Sequence, residues 1–274
     1  MIALSRRLVP DELWELVEPL IPEVKDRPQG GGRAPADARM VFTAIVYVLT
    51  SGCAWPWLPP SFGVTVPTAH RWFVRWTEEG LWARIHHAVL DELGGQGLID
   101  WSRAVVDAAH VRAKKGGPMT GPSPVDRGKP GSKLHVLSDA TGLPMATGIS
   151  AGNTADGEAM IPLVNAIPPI RSRRGPRRRK PAKLHGDKAY NSRERRRWSR
   201  DKGIRPRLAR KDIESKERLG RHRWVIERSM AWFTGYRRLT LRYERRADTF
   251  KAFLALAAAL VCFKRLQRAN RDKL

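Results

Sequence analysis

The sequence predicts an α/β protein, with a mixed five-stranded sheet and flanking helices that follow an all-α segment. Three observations lead to this prediction. Apolar residues recur at helical spacing through the first 98 residues. From Ser102 onward they fall instead in short runs separated by Gly, Pro and Asp, as strands do. Later runs alternate with helical stretches, which is the order of an α/β sheet. We therefore divide the chain into residues 1–98 and 99–274.

The first part contains four predicted helices, at residues 8–20, 36–51, 65–77 and 81–93. The third has an apolar stripe at i, i+3, i+4 and i+7, formed by Ala69, Trp72, Phe73 and Trp76. His70, Arg71 and Arg75 fall on its other side. A basic helix of this kind, after another helix, is typical of a helix-turn-helix that reads DNA. The alternative is a helical bundle whose outer charges only meet water, and the long connection after residue 51 favours it.

The second part alternates between strands and helices. Five strands are predicted at residues 103–109, 133–138, 143–149, 183–190 and 204–209. Three helices are predicted at residues 156–167, 192–201 and 216–237. Residues 139–142 are predicted to form a hairpin turn. Residues 113–132 are rich in Gly and Pro, which predicts a long mobile loop, and residues 168–183 are predicted to be a basic linker.

The charge of the chain points to a polyanionic partner. The formal net charge is +24, and residues 171–210 hold 18 basic and three acidic residues. Eight of the 13 residues from 171 to 183 are cationic. We expect Arg177, Arg178 and Arg179 in this run to contact DNA phosphates, which Arg binds well. The alternative is a charge that only keeps the protein in solution.

The two cysteines and the apolar runs indicate the compartment. Cys53 and Cys262 lie far apart within apolar runs, which predicts reduced core residues of a cytosolic protein. The apolar run at residues 250–263 is interrupted by Lys251 and is too short to span a bilayer. We expect a cytoplasmic, nucleoid-associated protein with no membrane partner.

Three carboxylates are candidates for chemistry. Asp107 and Asp187 each follow an apolar run, and Glu227 borders the apolar side of the helix at residues 216–237. Cleavage of phosphodiesters by two divalent cations needs a few carboxylates that converge on one point. Mg²⁺ prefers such oxygen ligands. For Glu227 alone, a helix-surface ion pair with Arg223 is the alternative.

Other residues support competing interpretations. His110 and His185 flank the two aspartates, so a His/Asp metallonuclease is a rival chemistry. Asp156 is interpreted as a helix N-cap, with a supporting role at the site as the alternative. Glu244 lies among cations and is interpreted as a surface ion-pair partner.

Six segments of the sequence resemble a known family along nearly the whole chain. They read RMVFTAIVYVLTSGCAWPWLP, RWFVRW, VVDAAHVRA, GSKLHVLSDATGLP, HGDKAY and RWVIERSMAWFTGYRRLTLRYE. With these segments the chain resembles bacterial insertion-sequence DDE transposases of the insertion-sequence-five group. The resemblance implies a ribonuclease H-like catalytic domain and the triad Asp107, Asp187 and Glu227.

The resemblance also implies an activity and its partners. Two Mg²⁺ or Mn²⁺ ions per active site would serve hydrolysis of phosphodiester bonds at the element ends, and the freed 3′-OH would join target DNA. The expected partner is double-stranded DNA, both element ends and target, bound by a homodimer. A DNA-binding regulator with an inactive catalytic domain is the alternative function.

The family signature around Glu227 is incomplete. Arg223 matches the arginine four residues before the glutamate, and we expect it to contact DNA. Gly220 stands where related groups have tyrosine, and Thr234 where they have Lys or Arg. Arg237 or Arg238, one turn further on, could replace that missing cation.

Overall fold

A computed structural model describes residues 2–23, 35–210 and 216–272, and for residues 216–223 the backbone only. The α-helices within these ranges are α1 (Ile2–Leu8), α2 (Asp11–Val17), α3 (Ala38–Ser51), α4 (Val66–Glu78), α5 (Leu81–Gly95), α6 (Met160–Asn165), α7 (Arg193–Asp201), α8 (Lys216–Thr234) and α9 (Ala247–Arg271). The strands are β1 (Ala104–Ala113), β2 (Gly121–Pro122), β3 (Pro130–Asp139), β4 (Pro144–Ala151), β5 (Lys183–Gly186), β6 (Arg205–Leu208) and β7 (Leu241–Arg242).

The sheet is mixed, as the sequence predicts. Its longer strands lie in the order β4-β3-β1-β5-β6, where β4, β3 and β1 are antiparallel neighbours and β5 and β6 run parallel to β1. These five correspond to the five predicted strands. The described residues contain two more, since β2 pairs with the start of β3 and β7 with the end of β1, each over two residues. The prediction of five strands therefore missed the two short strands β2 and β7.

The segment predicted as a mobile loop contains regular structure. β1 continues to Ala113 and β3 begins at Pro130, so residues 113–132 include two strand ends and all of β2. The side chain of Arg242 is fully buried here and donates to the carbonyls of Pro118 and Met119 and to Ser132 Oγ. A buried guanidinium satisfies backbone groups that a Gly- and Pro-rich segment cannot pair by itself. The predicted loop is therefore interrupted by these strands, and its mobility stays a prediction.

The N-terminal helices begin and end with ordinary local signals. The Asp37 carboxylate accepts from the Met40 N–H at 2.8 Å and caps α3, and Gly52 ends that helix in a left-handed conformation. Thr65 caps α4. The connection between α3 and α4 is long, whereas only two residues separate α4 from α5. The predicted helix at residues 8–20 is divided at Pro10, which precedes α2.

The longest helix, α9, joins the two parts of the chain. It packs along α5 and also contacts α4 and β4. Phe253 of α9 stacks on Phe73 of α4 with ring centroids 4.3 Å apart. The N-terminal helices and the sheet therefore share one hydrophobic core. The division at residue 98 stays a prediction, because α9 follows the sheet in sequence and packs with the helices that precede it.

The two cysteines differ in burial. Both are free thiols, but Cys262 is buried in the core as predicted, whereas Cys53 is only partly buried. None of the helices in the described ranges is long and apolar enough to cross a membrane.

Candidate active site

Asp107 lies on β1, and Asp187 directly follows β5, the strand that pairs in parallel with β1. The pairing ends with Val105 opposite His185, and each aspartate lies two residues further along the chain. Asp107 lies inside β1 and not at its end, because β1 continues along β3 after β5 has stopped.

Gly186 explains how the two strands stay close at this point. A Cβ atom at Gly186 would lie 3.1 Å from side-chain atoms of Val106, Tyr190 and Leu208, so a larger residue would push β5 away from β1. Asp187 then begins a short 3-10 turn, and its carboxylate accepts from the Ala189 N–H at 2.9 Å. The backbone therefore fixes the position of Asp187 beside β1.

Tyr190 is a neighbour of these acids that the sequence analysis did not identify. Its ring is buried, and its hydroxyl has no hydrogen-bond partner among the described residues. Burial raises the pKa of the Tyr190 phenol above its usual range, and the nearby carboxylates of Asp107, Asp156 and Asp187 raise it further. Three acids are thus close enough to Tyr190 for their charges to act on one hydroxyl.

Asp156 is part of a buried ion pair and not a helix cap. Lys133 Nζ lies 2.6 Å from Asp156 Oδ1, and the Lys133 side chain is 7% exposed. Lys133 also donates to the Thr154 carbonyl at 2.7 Å. The N-cap interpretation was wrong because a partner 23 residues away, on β3, takes the carboxylate. Gly157 allows this turn to pack against the turn after Asp187, since a Cβ there would lie 2.8 Å from the Ala189 carbonyl.

Glu227 is exposed on α8, the helix that packs against β1 and β3. Val225, Ile226 and Ser229 are its buried neighbours on the helix. The Ser229 hydroxyl donates to the Gly142 carbonyl at 2.7 Å, which fixes α8 on the β3–β4 turn. The predicted apolar side of this helix is therefore the buried side, and Glu227 lies at its border.

The three acids suit a divalent cation in their chemistry, because all are oxygen donors of the kind that Mg²⁺ prefers. Asp107 and Asp187 are the two of these three acids whose charges act on the Tyr190 phenol. Within the described residues, no three His, Cys, Asp or Glu side chains form a ready-made metal cluster.

The two histidines of the rival chemistry lie apart. His185 is opposite Val105, and His110 is five residues further along β1, which corresponds to roughly 16 Å. His110 Nδ1 contacts the Ser123 hydroxyl at 3.3 Å. Burial lowers the pKa of His110, and the Lys133 ammonium lowers it further. A metal site shared by His110 and His185 is not supported by this separation.

The side chains on α4 that are candidates for DNA contact differ in whether they already have partners within the protein. Arg71 is exposed, and the described residues supply no side-chain partner for it. Arg75 is bound at 3.0 Å both to Glu79 and to the Glu23 carbonyl. His70 lies edge-on to Trp55, with ring centroids 5.1 Å apart. Arg71 is therefore the side chain on α4 that is most available to a partner.

The basic segment at residues 168–183 is attached to α5. Arg177 binds both oxygens of Asp91 at 2.7 and 2.8 Å, and the Arg171 N–H donates to the same carboxylate. The guanidinium of Arg178 lies over Trp101, and Arg179 remains exposed. The segment predicted as a linker thus follows the protein surface while most of its cations face solvent.

The arginines expected to contact DNA near Glu227 differ in their exposure. Arg237 is exposed, whereas Arg238 is 4% exposed and forms an ion pair with Glu244 at 2.7 Å. The side chain of Glu244 is 5% exposed, so the interpretation of Glu244 as a surface ion-pair partner was wrong. The side chain of Arg223 lies outside the described residues. Arg238 is therefore occupied inside the protein and is not open to a phosphate in this structure.

The chain thus has a mixed sheet with one aspartate on β1, a second directly after β5 and an exposed glutamate on α8. Carboxylates of this kind are what phosphodiester chemistry with divalent ions needs. Comparison with known proteins agrees with this class. Residues 101–262 match the family described as "Transposase DDE domain", and residues 9–86 match "Putative transposase of IS4/5 family". The chain belongs to the DDE transposase family of bacterial insertion sequences, and the protein is a DNA transposase.

Two relatives come from Burkholderia cepacia. The chain is 45% identical over 157 residues to "Putative transposase for insertion sequence element IS402", which covers 57% of this chain and 74% of the relative. It is 37% identical over 123 residues to "Insertion element IS402 uncharacterized 16.2 kDa protein", which covers 44% of this chain and 84% of the relative.

Solved structures show a weaker likeness. A piggyBac transposase synaptic complex with hairpin DNA aligns with a TM-score of 0.44 and 10% identity, over 95% of this chain and 73% of that one. A Mos1 transposase paired-end complex aligns with a TM-score of 0.27 and 13% identity, over 89% and 82%. TM-scores below 0.5 do not establish a shared fold, so neither likeness supports a further conclusion.

Proposed function

We propose that Asp107, Asp187 and Glu227 are the catalytic acids with which this transposase cuts DNA. The observation that supports the proposal is the parallel pairing of β1 with β5, because Asp107 lies on β1 and Asp187 directly follows β5. Glu227, which is exposed on α8, is the third acid of the proposal. The strand order, with β5 and β6 parallel to β1, supports a ribonuclease H-like catalytic domain.

Asp107, Asp187 and Glu227 would hold two Mg²⁺ or Mn²⁺ ions. Such ions supply an activated nucleophile and stabilise the leaving oxygen of the phosphodiester. The role of this chain is to hold Asp107 on the central strand β1, Asp187 directly after β5, and Glu227 on the exposed side of α8. The products would be 3′-OH ends that are then joined to target DNA.

The test of this function is a nicking assay. The substrate is a supercoiled plasmid that carries the gene with its flanking genomic DNA, incubated with the protein in Mg²⁺ or in EDTA. A transposase is expected to nick at the element boundaries only with the metal. Binding to this DNA without nicking in either condition would instead support a DNA-binding regulator with an inactive catalytic domain.

We also propose that α4 contacts DNA, with α3 and α4 as a helix-turn-helix-like unit, and that a homodimer binds the element ends. Support for the role of α4 comes from its basic exposed side, above all Arg71. Native mass spectrometry of the complex with end DNA tests the dimer.

Replacing Arg71 by Ala is expected to weaken binding to the element ends by about 1–3 kcal/mol and to relax sequence preference, if Arg71 reads a guanine. Arg75→Ala is the matched control on the same side of α4. It should cost less, because Arg75 is already bound to Glu79 and the Glu23 carbonyl. Titration of both variants with labelled end DNA is the measurement. An unchanged affinity in Arg71→Ala would contradict DNA binding by α4 and support the alternative of a helical bundle with a solvated outer face.

Replacing Arg178 and Arg179 together by Ala is expected to flatten the slope of log affinity against log salt by roughly 2. Each phosphate contact contributes about 0.9 to this slope. Arg177→Ala is the control, and it should change the slope little, because Asp91 already neutralises Arg177. Binding should weaken equally for end DNA and random DNA. A wild-type slope in the double variant would mean that these arginines are solvated and do not contact DNA phosphates.

A further inference from the structure

A series of close contacts leads from the buried ion pair of Lys133 and Asp156 to Asp187. The Lys133 ammonium on β3 donates to the Asp156 carboxylate at 2.6 Å and to the Thr154 carbonyl at 2.7 Å. Both acceptors belong to the turn between β4 and α6. One buried side chain therefore fixes this turn on the sheet.

Gly157, the next residue of the turn, is enclosed by two other parts of the chain. A Cβ atom there would lie 2.8 Å from the carbonyl oxygen of Ala189 and closer still to the guanidinium of Arg195. The Arg195 side chain is flexible and could move aside, but the Ala189 carbonyl belongs to the backbone. The backbone of Gly157 thus lies directly against residue 189.

Ala189 holds the Asp187 carboxylate. Its backbone N–H donates to Asp187 Oδ1 at 2.9 Å, and the Tyr190 N–H donates to the Asp187 carbonyl at 3.2 Å. The contact with Gly157 and the hydrogen bond to the carboxylate therefore belong to the same residue. A displacement of Ala189 moves the Asp187 carboxylate relative to β1.

The ion pair is better suited to fixing a position than to stabilising the core. Removing two charges from water is costly, and apolar residues of similar volume often stabilise a fold as well as a buried pair does. Lys133 is 7% exposed, and its ammonium has few other acceptors within reach. The pair therefore keeps Asp156 in one place, because separating the charges would leave a buried ammonium without its counter-ion.

We propose that Lys133, Asp156 and Gly157 are positioning residues that set the Asp187 carboxylate for its metal ion. They act through Ala189 and do not touch the metal. Groups that orient a ligating carboxylate typically contribute 10–100-fold to metal affinity. The inference rests on the proposed function, in which Asp187 is a metal ligand.

The test is a titration of the full chain with Mn²⁺ in the absence of DNA, in which electron paramagnetic resonance measures the free ion. Wild type is expected to show a site that is missing in Asp187→Asn. Gly157→Ala should weaken this site about tenfold or more, because the added methyl displaces the Ala189 carbonyl while no charge changes. Gly148→Ala is the matched control. A Cβ there would lie an ordinary 3.5 Å from Leu163, so this variant should bind like wild type.

Asp156→Asn tests the ion pair and should weaken the same Mn²⁺ site by a similar factor, because the amide no longer neutralises Lys133. Asp139→Asn is its control. Asp139 is a buried carboxylate at the other end of β3, where it accepts from three backbone N–H groups. This control should lower the melting temperature and keep the Mn²⁺ affinity. An equal loss of Mn²⁺ affinity in Asp139→Asn would overturn the proposal, because general loosening of the fold would then explain the effect.

Wild-type Mn²⁺ affinity in Gly157→Ala and Asp156→Asn, with the site lost in Asp187→Asn, would overturn the positioning role and leave the proposed function intact. Should one of these two variants fail to fold, the other decides. Mn²⁺ binding that is unchanged in Asp187→Asn would overturn the metal-binding pair itself, and the positioning role with it. The two failures are therefore distinguishable.

Discussion

Replacing Asp107 by Asn is expected to lower metal-dependent DNA cleavage by about a thousandfold or more, while folding and DNA binding are retained. The change preserves the shape of the side chain and removes one charge from the pair on β1 and β5. A thousandfold corresponds to roughly 4 kcal/mol of barrier. Asp187→Asn should behave alike, because it removes the opposite member of the same pair.

The measurement is nicking of the plasmid that carries the gene with its flanking genomic DNA. A melting curve for each variant checks that it folds. Asp201→Asn is the matched control, because Asp201 is an exposed aspartate at the end of α7. It should cleave like wild type. A loss of less than about tenfold in Asp107→Asn, or roughly 1.4 kcal/mol, would remove Asp107 from the catalytic set.

Replacing Glu227 by Gln is expected to produce a loss of similar size, because the proposed metal-binding set needs all three carboxylates. The double variant Asp107→Asn/Glu227→Gln should be no slower than the slower single variant, because residues that act as one unit are not additive. Glu15→Gln, at an exposed glutamate of α2, is the control. Single variants whose losses multiply in the double variant would show that Glu227 acts independently of the pair.

The sequence predicted most of the sheet because its signals are local. Short apolar runs separated by turn residues mark β1, β3, β4, β5 and β6, and Asp139 marks the β3–β4 turn. In the structure Asp139 accepts from the backbone N–H groups of Asp100, Thr141 and Leu143. Thr141 and Leu143 lie within four residues of Asp139, so these contacts are local, whereas Asp100 is 39 residues away.

The features that the sequence did not reveal depend on partners distant in the chain. Arg242 orders a Gly- and Pro-rich segment more than 120 residues away, and Lys133 takes the carboxylate of Asp156 from another strand. α9 is apolar on nearly every side, so its sequence carried no amphipathic pattern to identify a helix. The availability of cations also depends on tertiary contacts, as Arg177 and Arg238 show.

The candidate site was predictable in part. The three acids stood out in the sequence by their positions at apolar runs, and the resemblance then implied that they form a triad. The role of Gly186, which brings β5 against Val106, became clear only from the packing. Tyr190 follows Asp187 by three residues, but nothing in the sequence indicates that its hydroxyl lies near three carboxylates.

The most direct test of the central claim, that Asp107 and Asp187 form the metal-binding pair, is cleavage of the protein by bound Fe²⁺. Fe²⁺ takes the place of Mg²⁺, and with ascorbate and peroxide it cuts the backbone close to its ligands. The account predicts cuts in β1 around Asp107 and after β5 around Asp187, competed by Mg²⁺ and absent in Asp187→Asn. Cuts away from both β1 and the end of β5, or cuts that persist unchanged in Asp187→Asn, would contradict it.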